Sequence, residues 1–304
     1  MNTAHEIMEN VGALFDVDYA PAGFQVNGFY TRTPLVEGKP MYKWVNRLSD
    51  DNECIPLAIH KSSYPEVDGY KHLADMAEFM FPLSSKECTL FGNGERVLLV
   101  QQLTDPVDLG DGDTIQSNII WVSSLNGSWS TKVYDMTERF FCRNQLIGLP
   151  LISVRHTTNH DNLLSMRVEI LEGAKARADA WTVQAREWKD QEMIDREFFD
   201  MVSYLMPIPE YDNTNDLVRD RIKMKRNDIL NRWYKERDAF PTSTEPKVAN
   251  KWCAYNAFQG AEQHYINAKG RGHNWSRDRA LIKAVDGKTP LATQAFNYLQ
   301  VMSR

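Results

Sequence analysis

Cysteine is scarce: Cys54, Cys88, Cys142 and Cys253 are the only four in 304 residues, and no two form a C-x-x-C pair. That excludes a zinc ribbon and a disulfide framework, so the thiols read as reduced and mostly packed. Long apolar runs are absent too. No stretch approaches the roughly 20 residues a membrane span needs, and MNTAHEIMEN has neither the basic nor the apolar region of a signal peptide. The expectation is a protein of the host cell cytoplasm with no membrane partner. GxxxxGKS/T, GxSxG and HExxH are missing as well. No catalytic residue, cofactor or metal site is therefore assigned, and enzyme activity is without support. GDGD at Gly110 to Asp113 lacks the other ligands of an EF-hand loop and reads as a solvated turn.

With 42% hydrophobic and 25% charged residues, the composition is that of an ordinary globular chain, long enough for two domains. The formal net charge of −6 hides an asymmetry: residues 1–115 hold 18 acids and 8 bases, whereas residues 219–288 hold 8 acids and 16 bases. A local basic block of this kind can bind phosphate on an acidic protein.

Thr3 and Glu6 have capping-box spacing ahead of a short amphipathic helix. GFQVNGFYTR, PMYKWVNRL and CIPLAIHK read as antiparallel strands, and DGYKHLADMAEFMF as a helix that stops at Pro82. Asn93-Gly94 and Asn126-Gly127, each between apolar runs, predict two hairpins with positive φ at both central residues. After Asp161 the pattern turns helical. About 45 proline-free residues, with Met166, Ile170, Ala174, Trp181, Trp188 and Phe199 on a stripe, predict one long helix or two broken near Gly173. A second helix has Leu217, Ile222, Ile229 and Trp233 as its apolar face, a third is KVANKWCAYNAFQGAEQHYINA, and Thr289 with Pro290 opens a last one. The fold class is α+β: an antiparallel hairpin sheet with flanking helices over residues 1–160, and a helical region with the basic block over 161–304.

An ordered series of boxes runs through residues 85–265: LFGNGERVLLVQQL, NIIWVSSLNGSWSTKV, RFFCRNQL, SVRHTTN and KWCAYNAFQGAEQHY. Together they resemble a phage- and plasmid-type family of domains of unknown function (the DUF932 type) found in phages, prophages and conjugative plasmids. The matching positions are Arg139, Cys142, Asn144 and Leu146, then Arg155, His156, Thr157 and Asn159, then Asn256 and Ala257. Gln145, Phe140 and Phe141 depart from the family pattern.

Arg139, Arg143 and Arg155 bring guanidiniums that recognise phosphate or carboxylate with paired donors, unless Arg139 and Arg155 pair with acids such as Glu138 or Asp135. Asn144 and Cys142 read as local structural residues. His156, His160 and Asp161 sit in a turn-like HTTNHDN, the wrong setting for two histidines on one metal. The basic block supplies Arg219, Arg221, Lys223, Lys225 and Arg226 on a helix, and Lys269, Arg271, Trp275, Arg277 and Arg279 in a polar loop. Cations along a backbone with an aromatic for stacking suit a single-strand binder. With the mobile-element setting that the resemblance implies, the leading expectation is a DNA-binding protein of replication or recombination, a homo-oligomer of the single-strand-annealing kind that binds single-stranded DNA without a nucleotide cofactor. The runner-up is a counter-defence protein whose acidic front binds a host restriction or nuclease component, and an unrecognised nuclease is third.

Overall fold

The computed structural model describes residues 2–22, 24–26, 29–31, 35–36, 39–49, 53–142, 144–154, 167–210, 215–264 and 281–302. Arg143, Arg155, His156, His160, Asp161, Lys269, Arg271, Trp275, Arg277 and Arg279 lie outside the described residues. Helices and antiparallel sheets are both present, the sheets mostly in the N-terminal half, so the chain is α+β. It divides into two compact units that alternate along the sequence: Met1–Asp105, Gln116–Thr137 and Gly148–Ala178 form one, and Pro106–Ile115, Glu138–Ile147 and Asp179–Arg304 the other.

In the first unit, helix α1 (Ala4–Asn10) starts at the expected capping box, with the Glu6 amide donating to Thr3 Oγ1 at 3.1 Å and the Thr3 amide to Glu6 Oε2 at 2.8 Å. Strands β1 (Val17–Pro21), β6 (Tyr42–Leu48) and β7 (Cys54–Lys61) form one antiparallel sheet. Between them lie two small pairs, β2 (Phe24–Val26) with β3 (Phe29–Thr31) and β4 (Leu35–Val36) with β5 (Lys39–Pro40). Helix α2 (Lys71–Met80) follows, ending before Pro82 as read.

The main sheet has strand order β13-β12-β11-β9-β8, built from β8 (Ser85–Phe91), β9 (Arg96–Gln102), β11 (Thr114–Ser124), β12 (Thr131–Arg139) and β13 (Gln145–Val154), with β10 (Val107–Asp108) paired to β11. Both Asn-Gly sites join neighbouring strands of it. The turns are longer than the two-residue type, however. Phe91 pairs with Arg96, and positive φ falls on Gly92 (64°) and Gly94 (106°), not on Asn93. The reason is local: Glu95 reaches back to accept the Asn93 amide at 2.7 Å. At the second site Asn126 Oδ1 accepts the Ser128 amide at 3.0 Å, an Asx turn that sets up Gly127 at φ 71°.

One face of the sheet packs Leu99, Ile119, Trp121 and Val133 with Leu73, Ala77 and Phe81, and with Ile170 and Ala174 of helix α3 (Arg167–Lys189). Each large apolar side chain so buried contributes about 1.5–3 kcal/mol. Two buried polar side chains here match each other, Trp121 Nε1 donating to Gln101 Oε1 at 2.7 Å and Gln101 Nε2 to the Phe81 carbonyl at 3.3 Å, whereas the buried side chains of Asn118 and Ser85 have no hydrogen bond among the described residues.

Helix α3 passes through Gly173 without a break, although glycine costs about 1 kcal/mol in a helix interior. The interruption comes later, at β14 (Glu192–Met193), which pairs with β15 (Ala249–Asn250) while the Gln191 carbonyl accepts the Lys251 amide at 3.0 Å. Strand pairing that far along the chain is what captures the backbone, and no local residue signals it. Beyond β14 the second unit holds α4 (Asp195–Leu205), α5 (Asp216–Ala239), α6 (Lys251–Gln263) and α7 (Pro290–Met302). Pro290 is the first helical residue, but a carboxylate from α6 takes the first amides of α7: Glu262 accepts from Leu291 at 3.3 Å and Ala292 at 2.8 Å. Negative charge is favoured at that end of a helix.

Gly148 on β13 faces Asp135, and a Cβ there would fall 2.5 Å from Asp135 Oδ1. Gly148→Ala should lower stability by about 1–3 kcal/mol, the usual cost of overpacking. Urea melts check this, and Asp135→Ala in the same background should recover part of the loss, since the two sites couple directly.

Candidate functional site

Two of the boxes that carry the family resemblance, RFFCRNQL and KWCAYNAFQGAEQHY, meet in the second unit at one buried polar cluster. Its approach is the loop Leu109 to Asp113, where Gly110, Asp111 and Gly112 take φ values of 103°, 56° and 76° in succession. Two backbone bonds close the loop, Leu109 amide to Asp113 carbonyl at 2.8 Å and Asp113 amide to Gly110 carbonyl at 3.0 Å. The Lys189 ammonium donates to the Leu109 and Gly110 carbonyls and lies 3.4 Å from Asp111 Oδ2. An internal cation thus fills the position that a solvated turn would leave to water. The loop is not simply solvated, and its last residue, Asp113, is 0% exposed.

Arg139, at the end of β12, meets that carboxylate with two parallel bonds, Nε to Oδ1 at 2.6 Å and Nη2 to Oδ2 at 2.8 Å. Its third nitrogen, Nη1, donates to Glu236 Oε2 of α5 at 2.7 Å. Trp252 Nε1 adds a bond to Asp113 Oδ2 at 2.9 Å, and the rings of Phe240, Phe141 and Trp252 lie 4.9, 5.4 and 5.5 Å from the guanidinium carbon. Arg139 therefore pairs with neither Glu138 nor Asp135; Asp135 instead meets Arg177 at 3.2 Å. At 2% exposure, with all three nitrogens engaged, Arg139 is a buried cross-link rather than a surface phosphate contact.

One guanidinium thus serves two carboxyl groups. Two carboxylates outweigh burial and push the Arg139 pKa further up, whereas burial, aided by Asp113, outweighs the single Arg139 contact and raises that of Glu236.

Beside this triad, the Arg139 amide donates to the Asn144 carbonyl at 2.9 Å and closes the turn after β12. Asn144 Nδ2 donates to the carbonyl and side-chain oxygens of Asn256 at 3.1 and 3.0 Å, and Asn256 Nδ2 donates to the Trp252 carbonyl at 2.9 Å. The Cys142 thiol, 3.7 Å from Arg139 Nη1, points to Asn256 Oδ1 at 3.9 Å. Burial pushes that thiol up to about 11, so it is protonated at neutral pH and a poor nucleophile. Gly260 lets these parts approach α6: a Cβ there would lie 3.0 Å from Arg232 Nη1 and 3.2 Å from Asn144 Oδ1.

Sequence reading found Arg139, Cys142, Asn144 and Asn256 but missed Asp113, Glu236, Trp252 and Phe240. Glu236 did leave a signal. It continues the Ile229 and Trp233 spacing by one turn, an acid on an apolar stripe.

The basic block is divided by its helix. Arg219 is buried and donates to the Pro209 carbonyl, while Arg226 donates to Ser203 Oγ at 2.9 Å and the Met206 carbonyl at 3.5 Å. Those two arginines are held within the unit and are not free for a phosphate, because their helix positions face α4 and the segment after it. Arg232 pairs with Asp228 at 2.9 Å and Arg237 with Asp195 at 3.0 Å. Arg221 and Lys223 are exposed, the latter 3.7 Å from Asp220. Lys225 is half-buried, its pKa lowered first by burial and further by Lys283, with Glu262 and Asp228 opposing. Trp233 is core, stacked on Phe198 at 4.2 Å. Among the described residues no group of three His, Cys, Asp or Glu side chains could hold a metal, and no helix is long and apolar enough to cross a membrane.

Arg139→Met should destabilise the protein by about 3–5 kcal/mol, since it leaves two buried carboxyl groups without their partner. Adding Asp113→Asn and Glu236→Gln should restore part of that in denaturant melts. Because the Glu236 pKa is raised on folding, its contribution is present below the ordinary carboxyl range and is lost as pH rises through the folded-state value. The stability difference between E236Q and wild type should therefore move in favour of glutamine from about pH 4 upward and then level off; movement the other way would show that the Arg139 contact dominates.

No curated protein matches the chain, and neither does any solved structure. The family model described as Domain of unknown function (DUF932) matches residues 66–284, a span that holds every member of the buried cluster, and the chain belongs to that family.

Proposed function

We propose that this protein binds single-stranded DNA without a nucleotide cofactor, in the replication or recombination of a phage or plasmid, inside the host cell. The observation that supports the reading is where Lys225 and the end of the Arg232 side chain stand on α5. Lys225 lies in the field of Lys283 and Glu262, and Arg232 donates to the His264 carbonyl at 3.4 Å. Both points border the ends of the segment 265–280, which by sequence carries Lys269, Arg271, Arg277, Arg279 and Trp275. By sequence the segment adds cations and an aromatic to the cations of the helix, the residue types suited to phosphates along a strand with base stacking. Glu262 is committed to the first amides of α7, which leaves the lysines as the groups to meet an anion. Arg139, Arg219 and Arg226 drop out of this site.

Lys223→Glu, Lys225→Glu and Lys283→Glu in combination should weaken single-strand binding. The slope of log affinity against log salt should also become shallower by about 0.7 for each phosphate that the variant no longer neutralises. Fluorescence anisotropy with a labelled oligonucleotide reads both, with melting curves as the folding control. Unchanged affinity and slope would end the reading at this site.

A further inference from the structure

Two helical faces of the second unit leave apolar side chains exposed among the described residues, and they carry opposite charge. On α5, Leu217 and Met224 are seven residues apart on one face, 65% and 47% exposed, and Val218 beside them is 43% exposed. The apolar spacing suggests that Leu217 joins the core with Ile229 and Trp233, but only the latter two do so. Arg221, exposed between Leu217 and Met224, makes no ion pair among the described residues. Lys223 has Asp220.

The second face comes from α4 and α7. Tyr204 is 73% exposed, its ring 5.4 Å from that of Tyr298, and Val301 and Met302, one turn on, are 72% and 41% exposed. Asp200, one turn before Tyr204, is exposed and has no ion pair among the described residues. It stands close enough that, after burial, its charge is the next cause raising the Tyr298 hydroxyl.

Scattered exposed apolar residues are ordinary, but grouped ones with a flanking charge mark contact surfaces. A tyrosine pair with valine and methionine has the composition of an interface centre. The first face offers leucine, methionine and a cation with no ion pair among the described residues; the second offers aromatics, valine and an anion of which the same holds. We infer that a second copy of this chain seats its Leu217, Arg221 and Met224 face on the Tyr204, Tyr298 and Val301 face of the first, with Arg221 against Asp200. The two faces differ, so the contact is head to tail and propagates into a ring or filament. An anionic surface would suit the first face and be repelled by Asp200 on the second; one occupant that satisfies both is the chain itself.

Light scattering on the full chain without nucleic acid, across a concentration series, tests this. The wild type should exceed the mass of one protomer. Arg221→Asp or Asp200→Arg alone should weaken association at least about tenfold, and R221D/D200R together should recover it, because the pair is restored with its signs exchanged. Both side chains are exposed, and recovery in the double variant shows that the single ones fold. A wild type of one-protomer mass at every concentration overturns the proposal, as does an assembly that neither reversal weakens or that the double variant fails to restore. DNA takes no part in the measurement, so failure here leaves the binding reading standing.

Discussion

The guanidinium of Arg139, shared between Asp113 and Glu236, is the contact on which the second unit's arrangement depends. It requires the end of β12, the loop before β11 and the last turns of α5 to meet at hydrogen-bond distance, although these stretches are far apart in the chain. Burying three ionisable groups costs several kcal/mol per ion, and the Coulombic return is good only when the geometry is. Here the geometry is bidentate on one side and completed by an indole N–H, so the alternatives that misplace any of the three stretches leave a buried charge unmatched. The cluster favours one arrangement over others more than it adds to stability.

Much of the local structure was legible because its causes are local. The capping box of α1, the stop of α2 before proline, Pro290 at the start of α7 and the strand pairs around both Asn-Gly sites follow from neighbouring residues. What was illegible depends on partners distant in sequence. Asp113 read as solvated because nothing near it shows that Arg139 and Trp252 will cover it. The break after α3 fell at β14, not at Gly173, because Ala249 and Asn250 pair there, and glycine alone is too small a penalty to stop a helix with buried residues on both sides of it. The family boxes named four members of the cluster without indicating what they do, since a buried arginine and a phosphate-binding one have the same letter.

The basic block shows the same limit in electrostatic form. Sixteen bases against eight acids over residues 219–288 imply a strongly cationic surface, yet a helix distributes its residues around its axis. Arg219 and Arg226 fall on the packed side, where a guanidinium with a long apolar stem can cover carbonyls, and Arg232 and Arg237 find acids at short range. Surface pairs of this kind contribute little to stability, about 0–1 kcal/mol each, but they hold cations that a nucleic acid would otherwise meet. Net charge along the sequence therefore overstates the charge available to a partner.

Helix α6 is enclosed along most of its length. From Lys251 to Ala261 every residue is buried, polar ones included. Its polar side chains are spent on holding neighbouring elements in place. Trp252 bonds Asp113, Asn256 takes Asn144 and the Cys142 thiol, Glu262 starts α7, and Gln263 pairs with the Gln145 amide at 2.9 Å and its carbonyl, as a neighbouring strand would. These side chains of a helix buried from Lys251 to Ala261 are thus engaged in holding its neighbours. Around Asn256 the family motif ties neighbouring elements together. Among the described residues, charge and apolar surface stay exposed on the faces around α6, at Arg221 and Lys283 and at Asp200 and Tyr204, with Lys225 half-buried.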